Sequence, residues 1–351
     1  MVMNSVNYLL IIAFLLSNNL KGLSQTREKR DRFTVMFCNV ENLFDTINDP
    51  HKLDDEFTPE GSKKWNTKRY FKKINDLSKV IFSVDSVELP DLIGLAEIEN
   101  NTVLEDLISS KPLKKGKYSI IHEESPDIRG IDVALLYRRK AFEEISHKAF
   151  PVIDSLDKKF KTRDILYVKG IAESTDTLNI FVNHWSSRIG GDAKTEPKRL
   201  LSANVLRRAV DSIRKISPAA KIIIMGDFND EPTNKSINRV LIASDKRKNI
   251  YDDDLFNLMY DMHNIGNLGT YYYKGNWNML DNLIISYSLL NQKKGLGTDY
   301  NGGRIFKQDW MLFHNTKTNA NVPDRTYGGN NYYGGISDHL PVFVTFKRNG
   351  S

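Results

Sequence analysis

The chain has 351 residues, of which 40% are hydrophobic and 27% are charged, enough material for one large domain or two ordinary ones. Lys and Arg number 50 against 44 Asp and Glu, and the resulting charge of +6 is too mild to identify a partner by itself. The single cysteine, Cys38, excludes an internal disulfide, and its apolar surroundings predict a small buried side chain rather than a catalytic thiol.

The N-terminal segment has the features of a secretory signal peptide. The apolar run 8-YLLIIAFLLS-17 is too short to span a bilayer as a helix, and the small residues Gly22 and Ser24 precede a cleavage point ahead of Gln25. Because no Lys or Arg precedes the run, an uncleaved anchor and a buried N-terminal strand are the alternatives. We expect residues 1–24 to be removed on export to a secreted or periplasmic location. No cysteine follows the run, so lipoprotein anchoring is not predicted, and neither is membrane insertion of the mature chain.

Beyond a charged leader at residues 25–32, apolar strands alternate with amphipathic helices. β-rich apolar runs predict strands at residues 33–40, 92–98, 131–139, 178–185, 222–225, 280–286 and 341–346. Three- and four-residue apolar spacing predicts helices at residues 70–84 and 198–216, and residues 45–66 are predicted to be a loop. No linker or repeat divides the chain. This irregular alternation favours one mixed-sheet α/β or α+β domain over residues 33–348 rather than a TIM barrel.

Polar side chains stand at the ends of several of these strands. They are Asn39, Glu41, Glu97, His184, Asp227, Asn229, Asp281, Asp338 and His339. In 221-KIIIMGDFNDEP-232 a buried strand reaches Gly226, where we expect the chain to bend, and then an acidic cluster whose last members, Asp230 and Glu231, are expected to be solvated. Each polar residue alone has an ordinary explanation, such as a solvated rim position or a side chain that closes a turn. Together they predict one site, because strand ends converge in open α/β sheets.

The residue types in this set restrict the chemistry that it can perform. Carboxylates and amides suit Mg²⁺, Mn²⁺ or Ca²⁺ rather than zinc, and no HExxH or CxxC spacing is present. The sequence also lacks GxxxxGK[ST], a GxGxxG that opens a helix, and GxSxG. Metal-assisted attack of water on a phosphate ester fits the set. A glycosidase would explain the acids but would leave both histidines without a role.

The segments that carry these residues resemble the endonuclease/exonuclease/phosphatase superfamily, with its deoxyribonuclease-I-like fold. In chain order they are 39-NVENLFD-45, 95-LAEIEN-100, 129-RGIDVALLYRR-139, 181-FVNHWSSR-188, 225-MGDFND-230, 281-DNLIIS-286 and 337-SDHLPV-342. The resemblance covers residues 33–347. It implies a four-layered α/β sandwich, in which two mixed β-sheets pack face to face between outer helices. It also implies phosphate-ester hydrolysis with one or two Mg²⁺ ions, for which Mn²⁺ or Ca²⁺ could substitute.

The resemblance further implies a metal site and a site that activates water. Glu97 would be the principal metal ligand, joined by Asp338, which would act through the metal or through its bound water. Glu41 would be a ligand or would lie directly behind one. Asp227 would orient or deprotonate the attacking water, and Asn229 would hold the scissile phosphate.

The remaining candidates are implied to contact the phosphate or to position a residue that does. Asp281 would hydrogen-bond His339 and favour its imidazolium form beside the phosphate. His184 would contact the phosphate and help to protonate the leaving oxygen. Its carboxylate partner is open among Glu123, Glu124 and Asp132. Further candidate phosphate contacts are Asn39, Arg129 and Arg188, the arginines because a guanidinium matches phosphate in a bidentate way.

The predicted substrate is nucleic acid, which would make the chain a monomeric endonuclease acting on DNA or RNA. The mild positive charge and the aromatic segments 271-YYYKGNW-277 and 326-TYGGNNYYGG-335 favour a groove where bases pack on rings. Members of the superfamily also cleave phosphoinositides, sphingomyelin and small phosphate esters, although no long apolar hairpin indicates a lipid substrate. A non-catalytic binding module is a further alternative. Such a module would be expected to lack one of the core catalytic residues, and all of them are present.

Overall fold

The computed structural model describes residues 31–173 and 176–349. The predicted signal peptide (1–24) and residues 25–30 of the leader lie outside the described residues, and a compact unit begins at Arg32. Across the described ranges, no helix combines the length and the apolar composition needed to cross a membrane.

Strands dominate the architecture. In chain order they are β1 (Arg32–Leu43), β2 (Leu92–Ile98), β3 (Tyr118–His122), β4 (Asp132–Arg138), β5 (Phe142–Phe150), β6 (Ile165–Ala172), β7 (Thr177–His184), β8 (Lys221–Asp227), β9 (Ala243–Ser244), β10 (Leu255–Asn257), β11 (Tyr271–Tyr273), β12 (Asn276–Asn278), β13 (Asp281–Ser286), β14 (Gly295–Gly297), β15 (Gly303–Ile305), β16 (Leu312–Asn315), β17 (Ala320–Pro323), β18 (Tyr327–Gly328), β19 (Asn331–Tyr332) and β20 (Val342–Asn349). The α-helices are α1 (Thr67–Val84), α2 (Asn101–Ser109), α3 (Asp192–Ile216) and α4 (Tyr260–Asn264).

Most strands belong to two 7-stranded sheets. The first has the order β14-β20-β1-β2-β4-β3, with β15 also paired to β20, and the second has the order β5-β6-β7-β8-β13-β10-β9. Both sheets are mixed. β1 runs parallel to β2 in the first sheet, and β7 runs parallel to β8 in the second. The carboxyl ends of these parallel strands therefore lie side by side within each sheet.

Apolar side chains divide the molecule into layers. Residues of β1 such as Phe33 and Val35 share a core with residues of β7 such as Ile180, so the two sheets pack face to face. The other face of the first sheet packs against α1 and α2, and the other face of the second packs against α3. Cys38 is buried between the first sheet and the helices, as predicted, and burial raises the pKa of its thiol. The four-layered sandwich expected from the resemblance is confirmed.

The strands and helices predicted from apolar runs are all present, with shifted ends. β1 extends through Leu43, beyond the predicted end at residue 40. α3 begins at Asp192 rather than residue 198, because its first turns are polar and carry no apolar stripe. The largely exposed strand β5 and the short hairpins were not predicted, since neither buries a regular apolar face.

Candidate active site

The ends of the central strands of both sheets meet at one place. In the second sheet, Asp227 at the end of β8 lies opposite His184 of β7 and opposite Asp281 of β13. In the first sheet, Asn39 of β1 lies opposite Ala96, the neighbour of Glu97 on β2. The sequence-predicted residues from five strands are thereby brought together.

Asn39 connects the two sheets through its side-chain amide. Its Nδ2 donates to Glu97 Oε1 at 3.3 Å and to Asp227 Oδ2 at 3.0 Å. Its Oδ1 accepts the backbone N–H of Glu41 at 2.9 Å. With both ends of the amide occupied, the side chain is fixed, and it holds a carboxylate of each sheet at one buried point. Asn39 was predicted as a phosphate contact, and the structure adds this linking position.

β1 and β2, two neighbouring strands of the first sheet, each contain a bulge where they reach the site. The register shifts between Asn39 and Leu43 on β1 and between Ala96 and Ile98 on β2. Glu41 and Glu97 occupy the left-handed backbone region, with φ of 50° and 65°. A non-glycine residue in that region costs of order 1 kcal/mol and is retained where the surroundings enforce it. Bulges re-aim side chains, and here they turn two acids toward the site.

His339 is held between two buried carboxylates. Its Nδ1 lies 2.7 Å from Asp281 Oδ2, and its Nε2 lies 3.8 Å from Asp227 Oδ2. Burial lowers the pKa of His339, but Asp281 and Asp227 outweigh it, and the pKa stands well above the ordinary value. The ring is therefore an imidazolium at neutral pH. Burial raises the pKa of Asp227, opposed by His339, by the N–H of Asn229 and by Asn39. The geometry predicted for Asp281 and His339 is present.

His184 also lies beside Asp227, but its pKa is shifted in the opposite direction to that of His339. Its Nε2 is 3.7 Å from Asp227 Oδ2 and 3.8 Å from Glu97 Oε1. Burial lowers the pKa of His184 well below the ordinary value, and the nearby charges of Arg163 and Arg129 lower it further. The ring is neutral at pH 7, which suits hydrogen bonding to a phosphate better than proton donation to a leaving group.

None of the three carboxylates considered as partners for His184 pairs with it. Its Nδ1 is buried without a hydrogen-bond partner among the described residues. Glu123 pairs with His147, Glu124 pairs with Lys52, and Asp132 lies 3.3 Å from His122. Spacing along the chain could not show that His184 lacks a partner among these acids. Each acid meets a different basic group only when β3, β4 and β5 are assembled.

The turn after β8 is built around Asp227 and Asn229. Asp227 Oδ1 accepts the N–H of Asn229 at 2.9 Å, and Asn229 Nδ2 donates to the carbonyl of Trp185 at 3.1 Å. Asn229 has a φ of 49°, a conformation that asparagine tolerates better than most residues. Gly226 was predicted to provide a bend, but it lies within the strand. A Cβ there would meet the carbonyl oxygen of Asn183 at 2.4 Å, so the glycine permits close approach of β7 and β8.

Arg188 and Asp230 occupy positions different from those predicted. Arg188 Nε donates to the carbonyl of Asn229 at 2.6 Å, and its Nη2 lies 3.3 Å from Asp230 Oδ1. The guanidinium thus braces the turn and is committed to protein groups. Asp230, expected to be solvated, is 1% exposed and pairs with Arg199 at 2.7 Å. Its local sequence resembles a surface turn, and only the packing of α3 against that turn buries it.

Arg129 is linked to His184 through Asp127 and Arg163. Its side chain is half exposed and lies 3.4 Å from Asp127 Oδ1. Asp127 in turn pairs with buried Arg163 at 3.0 Å, and Arg163 Nε donates to the carbonyl of His184 at 3.2 Å. Arg129 is therefore placed at the rim of the site with a half-exposed side chain, while Arg163, which was not predicted, supports the end of β7 from behind.

The three acids predicted to bind metal lie in one corner of the site. Glu41 accepts the backbone N–H groups of Thr326 and Tyr327 at 2.7 and 3.0 Å. Burial raises the pKa of Glu41, the nearby Asp338 raises it further, and Lys73 opposes the rise. The pKa of Lys73 is lowered by its burial, against the attraction of Glu41, Asp338 and Glu97. Glu97 accepts the backbone N–H of Asn42, beside Glu41, and Asp338 pairs with Arg325, beside Thr326, so the three carboxylates lie in the same neighbourhood.

A divalent cation fits this corner by its chemistry, because the donors are oxygens and their negative charge is incompletely balanced. However, the carboxylate oxygens of Glu41, Glu97 and Asp338 are not clustered as tightly as the ligand atoms of a formed metal site. Over the residues described, the groups of three or more candidate ligand atoms within 4.8 Å are Asp227–Asp281–His339 and His122–Glu124–Asp132. Asp338 instead accepts a hydrogen bond from Arg325 Nη2 at 3.0 Å.

Sequence reasoning missed two basic residues of this corner. Lys73 Nζ donates to Thr326 Oγ1 at 2.6 Å and to the carbonyl of Ile336 at 3.0 Å, and so ties α1 to the loops beside Asp338. A signal for it was available, since Lys73 lies on the same apolar face of α1 as Tyr70 and Ile74. Arg325 carried no comparable signal, because it lies in a loop whose position only tertiary structure fixes.

Comparisons with known proteins identify a family and a shared fold. The family model for the endonuclease/exonuclease/phosphatase family matches residues 34–348. No curated protein sequence matches the chain. An endonuclease/exonuclease/phosphatase family protein from Bacteroides thetaiotaomicron is similar in structure, with a TM-score of 0.53 and 15% identity, covering 91% of this chain and 98% of that one.

Two further solved structures share the fold. TDP2 from D. rerio, complexed with single strand DNA product, has a TM-score of 0.53 at 12% identity over 91% of this chain and 100% of that one. A Bacteroides thetaiotaomicron mannosyl-6-phosphatase has a TM-score of 0.51 at 16% identity, covering 89% of this chain and 98% of that one. At such identities the structural likeness establishes the fold alone. The family match spans nearly all of the described residues, and the chain belongs to the endonuclease/exonuclease/phosphatase family of enzymes that hydrolyse phosphate esters.

Proposed function

We propose that the chain is an exported, metal-dependent phosphodiesterase that acts as a monomeric endonuclease on DNA or RNA. The observation that carries the proposal is the buried arrangement of His339, Asp281 and Asp227, joined to Glu97 through the amide of Asn39. A family member that only bound its ligand would have no need to bury an imidazolium against two carboxylates. The single strand DNA product in the related TDP2 structure supports the choice of nucleic acid.

In the proposed reaction, Asp227 accepts a proton from the water whose oxygen bonds to phosphorus, while the bond from phosphorus to the leaving oxygen breaks and that oxygen takes a proton from solvent. Its raised pKa makes it a stronger base than an ordinary aspartate. The imidazolium of His339 lies beside Asp227 and stabilises the negative charge that develops on the phosphoryl oxygens. Asp281 keeps the proton on His339, and neutral His184 supplies a further hydrogen bond to the phosphate.

Glu97 and Asp338 are the residues we expect to hold the cation, with Glu41 behind them. A bound Mg²⁺ or Mn²⁺ would offset the charge of the phosphate in the transition state. Asn39 and Asn229 would position the phosphate, and Arg129 would contact the substrate at the rim. We do not assign a phosphate contact to Arg188, since its guanidinium is occupied by the turn that carries Asn229.

The proposal is tested by incubating purified protein with plasmid DNA and with bis(p-nitrophenyl) phosphate. We expect cleavage with Mg²⁺ or Mn²⁺, none with EDTA, and a loss of at least a hundredfold in His339→Ala and Asp227→Ala. His147→Ala, at an exposed ion pair on β5, is the matched control and should retain activity. Full activity in either active-site variant would refute the mechanism.

A substrate panel separates the nuclease from the alternatives. DNA, RNA, a phosphoinositide, sphingomyelin and sugar phosphates are compared by kcat/KM under the same metal conditions. The mannosyl-6-phosphatase among the structural neighbours is the reason for including sugar phosphates. A clear preference for a sugar phosphate or a lipid headgroup would replace the nuclease with a phosphatase or a phospholipase-type enzyme while leaving the proposed site intact.

The proposed export is tested by expressing the full chain in a bacterial host and fractionating the cells. We expect mature protein that begins at Gln25 in the periplasm or the medium, as determined by intact-mass measurement. Full-length protein retained in the membrane fraction would indicate an uncleaved anchor instead.

A further inference from the structure

A cavity of about 800 Å³ opens beside Asp338. Its walls come from the β11–β12 and β16–β17 hairpins and from the segment that follows β19. We call it the aromatic cleft after the rings that line it, which are those of Tyr272, Tyr273, Phe313, Tyr332 and Tyr333. These hairpins belong to neither main sheet, so their packing is not required to close the sandwich.

Three of these rings are exposed to an unusual degree. Tyr273 is 54% exposed, Phe313 is 57% exposed and Tyr333 is 61% exposed. Single exposed aromatic residues are common, but several around one cavity indicate a binding surface. Their exposure leaves part of each ring accessible for contact with a ligand.

A row of rings connects the cleft with the proposed catalytic histidine. The ring centroids of His339 and Tyr271 are 4.8 Å apart, and those of Tyr271 and Tyr273 are 6.3 Å apart with planes 17° from parallel. Tyr271 and His339 are also joined by an isolated backbone bridge. A substrate whose phosphate lies at His339 would therefore extend its neighbouring groups along this row toward Tyr273.

Charge alone does not select the occupant of the cleft. The basic residues that line it are Lys274 and Arg325, and the acidic ones are Asp324 and Asp338. Arg325 is already paired with Asp338, and Lys274 Nζ lies 5.3 Å from the centroid of the Tyr273 ring. With these charges balanced, the feature that distinguishes the cleft is its set of ring faces, which favour a ligand that presents a flat ring of its own.

We propose that the aromatic cleft binds an unpaired nucleobase adjacent to the phosphate that is hydrolysed, so that the substrate is a single strand or a frayed end. The inference rests on the proposed function and specifies its substrate. Bases stack on aromatic side chains when their faces are free, as in single-stranded nucleic acid. In an intact duplex those faces are covered by neighbouring base pairs and do not reach into a cleft.

The test measures binding in EDTA by fluorescence anisotropy, so that it does not depend on catalysis. The ligands are a labelled oligothymidylate, a strand of equal length with every base replaced by an abasic unit, and a duplex. The variants are Tyr273→Leu and Tyr333→Leu, which replace exposed rings, with Tyr251→Leu as the matched control at an exposed tyrosine outside the cleft.

We expect the wild type to bind oligothymidylate at least tenfold more tightly than the abasic strand or the duplex. Each cleft variant should weaken oligothymidylate binding about tenfold while changing abasic binding less than twofold. The control should match the wild type on all ligands. Equal losses on both single strands, or no preference for oligothymidylate over duplex, would overturn the proposal.

Two further outcomes separate this inference from the proposed function. If the binding pattern is as expected but no phosphodiester is hydrolysed with Mg²⁺ or Mn²⁺, the proposed endonuclease function is refuted and nucleobase binding in the aromatic cleft is still supported. If hydrolysis occurs without strand preference, the cleft alone is refuted. Sedimentation with phosphatidylcholine–phosphatidylserine vesicles that is lost in Tyr273→Leu, without strand discrimination, would make the rings a membrane contact and would also overturn the proposal.

Discussion

The hydrogen bond between Asp281 and His339 controls the charge at the centre of the site. Asp281 is fully buried, and its Oδ2 lies 2.7 Å from His339 Nδ1. Together with Asp227 it raises the pKa of His339 far enough to overcome the effect of burial. An amide at position 281 would accept a hydrogen bond but would carry no charge to stabilise the imidazolium.

We therefore expect Asp281→Asn to lower kcat by about a hundredfold with little change in KM. The pKa of His339 should fall, and since the charged ring is the active form, the alkaline limb of the pH–rate profile should move to lower pH. The profile is measured with bis(p-nitrophenyl) phosphate between pH 5 and about 10, a range that brackets the ordinary histidine pKa. An alkaline limb that stays in place would show that His339 does not act as the imidazolium.

The close approach of β7 and β8 at Gly226 leads to a prediction about stability. Because a Cβ at this position would lie 2.4 Å from the carbonyl oxygen of Asn183, Gly226→Ala must push β7 and β8 apart. We expect a loss of about 2 kcal/mol in the free energy of unfolding, measured with urea. Gly266→Ala is the control, because no atom of the described residues lies within 4 Å of its Cβ position, while its φ of 72° gives alanine a backbone cost that strand residue Gly226 does not carry. A loss no larger than that of the control would contradict the steric explanation.

At the scale of elements, the site depends on the pairs that hold strand ends in place. Arg163, two residues before β6, donates to the carbonyls of His184, the last residue of β7, and of Trp185, which follows it. Its charge is balanced by Asp127 in the loop before β4. Burial alone would raise the pKa of Asp127, but Arg163 and Arg129 outweigh it, and the pKa is lowered.

We expect Asp127→Asn to destabilise the protein by about 3 kcal/mol near neutral pH, because it leaves a buried guanidinium without its counter-charge. A depressed carboxyl pKa stabilises the fold above the unfolded value of about 3.9, and that stabilisation is lost as the pH falls through the folded pKa. The stability gap between wild type and variant should therefore shrink below about pH 4 in urea titrations. Asp157→Asn, on an exposed loop, should show no gap at either pH.

At the scale of the whole molecule, the proposed metal corner joins distant parts of the chain. Glu41, Glu97 and Asp338 come from β1, β2 and the loop before β20, and Lys73 of α1 is attracted by all three. A cation bound there would exist only in the folded state, so it would stabilise the entire fold.

We expect saturating Mg²⁺ or Mn²⁺ to raise the Tm of the wild type. At a hundredfold excess of the ion over its Kd, the free energy of unfolding should increase by roughly 2.7 kcal/mol. Glu97→Gln should abolish most of the increase, and Glu60→Gln, an exposed acid, should retain it. Differential scanning calorimetry with and without EDTA provides the measurement. The same increase in Glu97→Gln would place the ion elsewhere.

The sequence by itself determined the central strands, the two longest helices and the set of candidate site residues. Buried strands leave apolar runs of recognisable length, and costly polar residues at their ends stand out against such runs. For this reason Asp227, Asp281 and His339 could be predicted, and the structure brings them together within 4.8 Å. The order of the polar segments was enough to indicate the family.

Only the tertiary structure decided how the two sheets share one site. The hydrogen bonds of Asn39 reach residues 58 and 188 positions away in sequence, and the apolar pattern of a strand does not report which distant strand faces it. The bulges at Glu41 and Glu97 could not be predicted from the sequence either, since a left-handed backbone conformation does not change the hydrophobic periodicity. Arg188 was predicted to face phosphate because its local sequence cannot reveal the buried acid that it meets, Asp230. Burial patterns record that a side chain is covered, whereas the partner that covers it is fixed by packing over the whole chain.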